Sequence, residues 1–119
     1  MAFDRQVFQI ETDTGGDFVD TGPPSTGFVM QMRLDAGALD TGCDFLLEGV
    51  SSGVVVADYD NAGGSAWTRV PRLLTFDTGG AEIGDAYPVL NGERLRLTVN
   101  QSAGVTGSVS AKLYVWTSD

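Results

Sequence analysis

The sequence predicts an all-β fold, an antiparallel β-sandwich or jelly-roll-like arrangement of about seven to nine short strands. Three observations lead there. Sixteen glycines and four prolines, set among many Asp, Asn, Ser and Thr residues, divide the 119-residue chain into short apolar runs. No window carries a helical repeat longer than about two turns, whereas several alternate apolar and polar residues with a period of two. Turn signals recur about every 8 to 12 residues, the spacing of sandwich strands. Residues 1–119 read as a single domain, long enough to bury roughly two thirds of the unfolded surface.

Taken in order, residues 5–12 form a first strand whose Phe8 and Ile10 face inward, broken at residues 13–16. Residues 1–6 are free to act as an N-terminal arm that orders on a neighbouring subunit. A short piece over residues 17–20 runs into Pro23 and Pro24, which cannot donate to a ladder, so a loop or an edge crossing is expected. Residues 27–35 make a strand with Phe28, Met30, Met32 and Leu34 on one face and Val29, Gln31 and Arg33 on the other. Cys43, Phe45 and Leu47 line one face of the next strand, which Gly49 ends or bulges. Val54, Val55 and Val56 form a β-branched run expected to be buried on both sides or central in a sheet. Short strands follow over residues 67–70 and 72–76. Residues 81–86 show no clear pattern, and Tyr87, held extended by Pro88, leads into the last pair.

That pair dominates the C-terminal part of the chain. Leu95, Leu97 and Val99 alternate with Arg94, Arg96 and Thr98, and Ala111, Leu113 and Val115 alternate with Lys112, Tyr114 and Trp116. Asn100, Gly104 and Gly107 lie between the runs and tolerate the positive φ of a reversal, so a β-hairpin is expected, with Val99 opposite Val109 and Leu97 opposite Ala111. This register sets Arg96 against Lys112, which requires a carboxylate to cover that face. The outer face then collects Arg94, Arg96, Lys112, Tyr114 and Trp116, residue types enriched at protein interfaces, as the candidate partner-binding surface. Arg69 and Arg72, flanking Val70 and Pro71, form a second candidate contact.

Charge and chemical inventory narrow the function. Seven basic against sixteen acidic residues give a net charge of −9, which disfavours phosphate backbones and anionic membranes. No nucleic-acid or membrane partner is therefore expected, and no stretch has the length of a membrane helix. One cysteine excludes an internal disulfide, and Asp4, Gln6 and Gln9 interrupt any signal-like apolar region, which fits synthesis in a cytoplasm. With no histidine, Ser-His and Cys-His nucleophile pairs and most zinc sites are absent. Cys43, in an apolar alternation, reads as a core residue. The acidic run from Asp58 to Gly63 starts like a calcium loop but has Ala62 and Arg69 where ligands belong, and it reads as an ordinary turn. No cofactor, metal or catalytic residue is assigned, and enzyme activity is not expected.

Asp-Thr-Gly occurs four times, beginning at Asp13, Asp20, Asp40 and Asp77. The segment from Ala38 to Asp44 resembles the active-site motif of retropepsin-like aspartic proteases, in which two carboxylates share a proton to activate water. Cys43 stands where that family has Ala or Ser, and its downstream Gly-Arg segment is missing. Repetition at expected strand ends favours turn chemistry instead, with Asp or Thr binding local backbone.

The segment from Asn91 to Trp116, with its Glu-Arg-Leu-Arg-Leu-Thr-Val strand, Gly-rich turn and closing Leu-Tyr-Val-Trp, resembles small β-sandwich virion proteins of tailed bacteriophages, as does Leu39 to Gly49. The likeness is to the capsid decoration or cement type and covers about a third of the chain. It implies a non-enzymatic structural protein of the capsid surface, a homotrimer made in the host cytoplasm, that binds the major capsid protein and stabilises the head. Multivalent contacts would supply the strength. A carbohydrate- or receptor-binding β-sandwich module of a phage tail or fibre is the alternative, and it requires an exposed aromatic platform built from Tyr59, Trp67 or Trp116. The retropepsin-like protease is a remote one.

Overall fold

A computed structural model describes residues 3–13, 15–35, 39–76, 79–101 and 110–118. These form nine strands, β1 (Phe3–Glu11), β2 (Asp17–Asp35), β3 (Asp44–Gly49), β4 (Val55–Tyr59), β5 (Trp67–Arg69), β6 (Leu73–Phe76), β7 (Glu82–Ala86), β8 (Val89–Asn100) and β9 (Ser110–Ser118). The protein is all-β, and every strand pair is antiparallel. Seven strands share one hydrogen-bonded sheet in the order β1-β9-β2-β8-β3-β4, with β5 also on β2, while β6 and β7 pair with each other apart from it.

Strand β2 turns this sheet into a sandwich. Its first part pairs with β8 from Asp17 opposite Asn100 to Phe28 opposite Val89. From Phe28 onward it pairs with β9, ending with Asp35 opposite Lys112, and Met32 to Leu34 also pair with β5. The first leaf is therefore β2-β8-β3-β4, the second β1-β9-β2-β5, and Phe28 belongs to both. The leaves face each other across one apolar core that includes Phe8, Ile10, Met32, Leu34, Phe45, Leu47, Leu95, Leu97, Val99, Leu113 and Val115. Contacts at both margins lock them together. At one, a Cβ on Gly22 of β2 would sit 3.4 Å from Phe8 Cζ of β1, and Gln6 Nε2 donates to Ser25 Oγ. At the other, Trp67 of β5 meets Phe45 and Tyr59 edge-on at 5.9 and 5.4 Å.

Five expectations are corrected. The runs ending at Val99 and Trp116 are strands with the expected buried residues, but they do not form a hairpin: β8 pairs with β2 and β3, and β9 with β1 and β2. Two strands with one apolar face each satisfy the same pattern side by side or face to face across a core. The expected reversal at Gly104 and Gly107, and Val109 itself, lie outside the described residues.

Residues 17–35 form one strand, irregular between Thr21 and Pro24, where pairing slips and the prolines escape donation. A second irregularity between Val29 and Gln31 exchanges the faces, so Val29 is buried and Phe28 is 44% exposed, the reverse of simple alternation. The valine run leads into edge strand β4, with Val54 just before it and Val55 at its start both exposed and only Val56 buried. Edge placement needs strand propensity without burial of both faces. Finally, residues 3–6 are no free arm, since they pair with Ser118 to Val115 of β9.

Candidate interaction face

The five residues grouped by the hairpin register are divided between leaves. Arg94 and Arg96 lie on β8 in the first leaf, and Lys112, Tyr114 and Trp116 lie on β9 in the second. In the first leaf both arginines are engaged within the chain. Arg96 donates from Nε and Nη2 to Glu48 Oε1 at 3.1 and 2.8 Å, because β3 places Glu48 directly opposite it. Arg94 donates from Nη1 to the Gly22 carbonyl at 3.3 Å. The clash of Arg96 with Lys112 that called for a covering carboxylate does not arise, since β8 and β9 are not neighbours, and Arg96 is matched instead by Glu48 of β3.

The second leaf assembles a different group. Register sets Arg5 and Gln31 opposite Trp116, and Val7 and Arg33 opposite Tyr114. Paired residues share a face, so the outer surface of this leaf carries a basic and aromatic cluster around Tyr114, with the Asp35 carboxylate opposite Lys112 at its end. The guanidinium carbons of Arg5 and Arg33 lie 5.2 and 5.6 Å from the Tyr114 ring centroid, and Trp116 stacks beside Tyr114 at 5.9 Å with 26° between the planes. Arg5, Arg33 and Lys112 are three of the seven basic residues. Among the described residues none of the three makes an ion pair, in contrast to Arg96. All three are exposed, with Val7 exposed beside them and both aromatic rings partly so. Beyond Lys112 the face ends in an open cavity of about 170 Å³ lined by Gln9, Asp35, Ser110, Ala111 and Lys112.

Each exposed cation–π contact is worth about 0.5–1 kcal/mol, enough to orient a guanidinium while leaving its N–H donors to bind something else. The face is therefore suited to carboxylates and to flat apolar or sugar surfaces. Of the five residues grouped from sequence, Lys112, Tyr114 and Trp116 lie on this face. A hairpin register leaves Arg5 and Arg33 without a place because it occupies the wrong side of β9, although both stand at outward positions of their strands.

Other motifs resolve into structure. Arg69 lies 4.6 and 4.7 Å from the rings of Tyr59 and Trp67, where it clamps the margin between the leaves, and Arg72 lies 4.5 Å from Tyr87. Trp67 Nε1 also donates to the Ala62 carbonyl at 2.6 Å, so this ring is committed to the fold. Two Asp-Thr-Gly copies close turns: Asp13 Oδ1 accepts from the Gly15 and Asp17 amides, and Asp40 Oδ2 from the Gly42 amide at 3.1 Å. The copy at Asp20 lies inside β2, and the copy at Asp77 begins outside the described residues. Cys43 is fully buried, and burial, with the Asp44 and Asp40 carboxylates, pushes its thiol up from 9.0 to about 11. Asp44 Oδ1 accepts from the Asn61 amide at 2.9 Å, and among the described residues no three acidic or thiol groups gather as a metal would require. No helix among these residues is long and apolar enough to cross a membrane.

No protein-family model matches the chain, and no curated protein matches it. A solved structure described as "Crystal Structure of FLHE" is similar over the full length of both chains, with 13% sequence identity and a TM-score of 0.42.

Proposed function

We propose that this chain is a non-enzymatic assembly protein that docks through the outer face of its second leaf, in the manner of a capsid decoration or cement protein bound to a major capsid protein. The observation that carries the docking role is Tyr114 held between Arg5 and Arg33 with Trp116 stacked beside it, a cationic and aromatic surface on a molecule of net charge −9. Such residues dominate protein contacts because they join apolar area to strong donors at low entropic cost. The resemblance of residues 91–116 and 39–49 to phage decoration proteins supplies the virion setting. Cosedimentation with capsids tests it. Arg5→Glu/Arg33→Glu is expected to weaken binding at least tenfold, with Arg94→Glu much less effective.

A second reading is favoured by the Tyr114 and Trp116 pair, a partly exposed aromatic platform on which a sugar ring can lie. Glycan binding that persists in Arg5→Glu/Arg33→Glu but disappears in Trp116→Ala would select that reading over protein docking.

A further inference from the structure

Strand β1 lacks the guards that the other margins of the sheet carry. The first part of β2, which among the described residues has only β8 beside it, is irregular between Thr21 and Pro24 and presents two prolines. β4 is five residues long with a register shift against β3, and β5 is three residues long with Pro71 close behind it. Prolines, bulges and short length are the devices by which edge strands avoid pairing with another chain. β1, by contrast, runs nine residues from Phe3 to Glu11 in unbroken register with β9 and contains no proline or lysine. Among the described residues it is paired on one side only, so its other side offers a row of backbone N–H and C=O groups to a further strand.

The residues of β1 suit a second copy of the same strand. Arg5, Val7, Gln9 and Glu11 point outward and are exposed, while Gln6, Phe8 and Ile10 point inward and are buried. Arg5 and Glu11 stand three residues to either side of Phe8, and among the described residues neither makes an ion pair. Directly opposite residues of an antiparallel pair share a face, so two copies of β1 related by a twofold axis set outward residues against outward ones. With the axis at Phe8, Arg5 of each copy meets Glu11 of the other, and Val7 meets Gln9. Sliding one strand by two residues in either direction sets Arg5 against Gln9 or Glu11 against Val7, and the ion pairs are lost. We infer that two copies of this protein join through β1, antiparallel about a twofold axis at Phe8, so that their second leaves become one continuous sheet. The contact is isologous and closes at two copies, unlike the trimer that the resemblance to decoration proteins implies. Backbone hydrogen bonds supply the attraction, and the two Arg5–Glu11 pairs fix the register. The axis also keeps both outer faces on one side of the dimer, which makes any docking through them bivalent. The inference does not rest on that docking, because the pairing edge is the backbone of β1 itself.

The test is the mass of the intact protein by sedimentation equilibrium at concentrations up to about 1 mM, on the natural chain, Arg5→Glu and Glu11→Arg. The natural chain is expected to form dimers. Each reversal alone sets two like-charged pairs across the axis and is expected to weaken the dimer at least tenfold. Mixed in equal amounts, the two variants are expected to form a heterodimer as tightly as the natural chain pairs with itself, since every carboxylate of one then faces an arginine of the other. Where circular dichroism shows that a reversal disturbs the fold, its Gln counterpart takes its place and is expected to weaken the dimer in the same direction. A natural chain that stays monomeric overturns the inference, as does a trimer, a dimer indifferent to both reversals, or a mixture that yields no heterodimer. Capsid cosedimentation keeps this inference apart from the docking reading. Glu11→Arg leaves Arg5, Arg33, Tyr114 and Trp116 in place, so its mass reports on the edge and its capsid binding on the face.

Discussion

At the scale of single residues, the most informative polar group is Glu93. It is buried on β8, and its Oε1 accepts from the Ser52 amide at 3.2 Å and the Ser52 hydroxyl at 2.8 Å. This fastens the turn between β3 and β4, which is also held by the Val50 amide donating to the Arg94 carbonyl at 2.9 Å. Gly49 leaves room for that carboxylate, because a Cβ there would collide with Glu93 Oε1. Removing a partner from a buried charged hydrogen bond costs about 1–3 kcal/mol. Glu93→Ala is expected to lose that much in urea unfolding, and Gly49→Ala a comparable amount. The double variant should lose less than the sum, because both act on one contact. Cys43 gives a pH signature. Its thiol titrates at about 11 in the fold and near 9.0 when unfolded, so stability from keeping it neutral is complete below pH 9 and is lost as pH rises toward 11. Burial raises Tyr59 above 10.0 against the opposing pull of Arg69, which adds loss in the same direction. The urea midpoint is expected to fall across that alkaline window, and Cys43→Ala to flatten part of the fall.

At the scale of elements, alternation was legible and adjacency was not. Phe8 with Ile10, Phe45 with Leu47, and Leu95, Leu97 and Val99 are all buried as their period of two requires. The same period is silent about which strand lies alongside, so it fits β8 and β9 as hairpin partners as well as in the separate leaves they occupy. Bulges are the other hidden quantity. One irregular residue near Met30 exchanges the inward and outward sets of β2, and no composition rule locates it. β7 has no signature in the sequence because Glu82 to Ala86 contains Gly84 and two acidic residues, all unfavourable in strands, and backbone pairing with β6 overrides them. The valine run shows propensity without position. Val55→Lys, at an exposed site of edge strand β4, is expected to change stability by less than about 0.5 kcal/mol, while Val56→Lys should prevent folding by burying an unpaired ammonium. Thermal melts of both variants check this, and equal damage would place β4 inside the sheet.

At the scale of the whole molecule, fold class followed from turn spacing and the absence of helical periodicity, whereas the candidate face did not follow from any segment. It is drawn from β1, β2 and β9, and its cation–π contacts join Arg5 and Arg33 to Tyr114 over sequence separations that only the topology closes. Lys112, Tyr114 and Trp116 were identifiable because they are near neighbours in sequence on one strand face. The arginines were identifiable only as outward-facing residues without an assigned neighbour. The passage of β2 through both leaves has a further consequence, for the way the molecule comes apart. Neither leaf can dissolve without stripping a partner from the other, since the strand that borders β8 runs on to border β9. A half-melted sandwich with one intact sheet therefore has no stable boundary along which to divide. The protein should cross between its folded and denatured populations in a single all-or-none transition, with residue 28 as the joint through which loss of order in either sheet reaches the other.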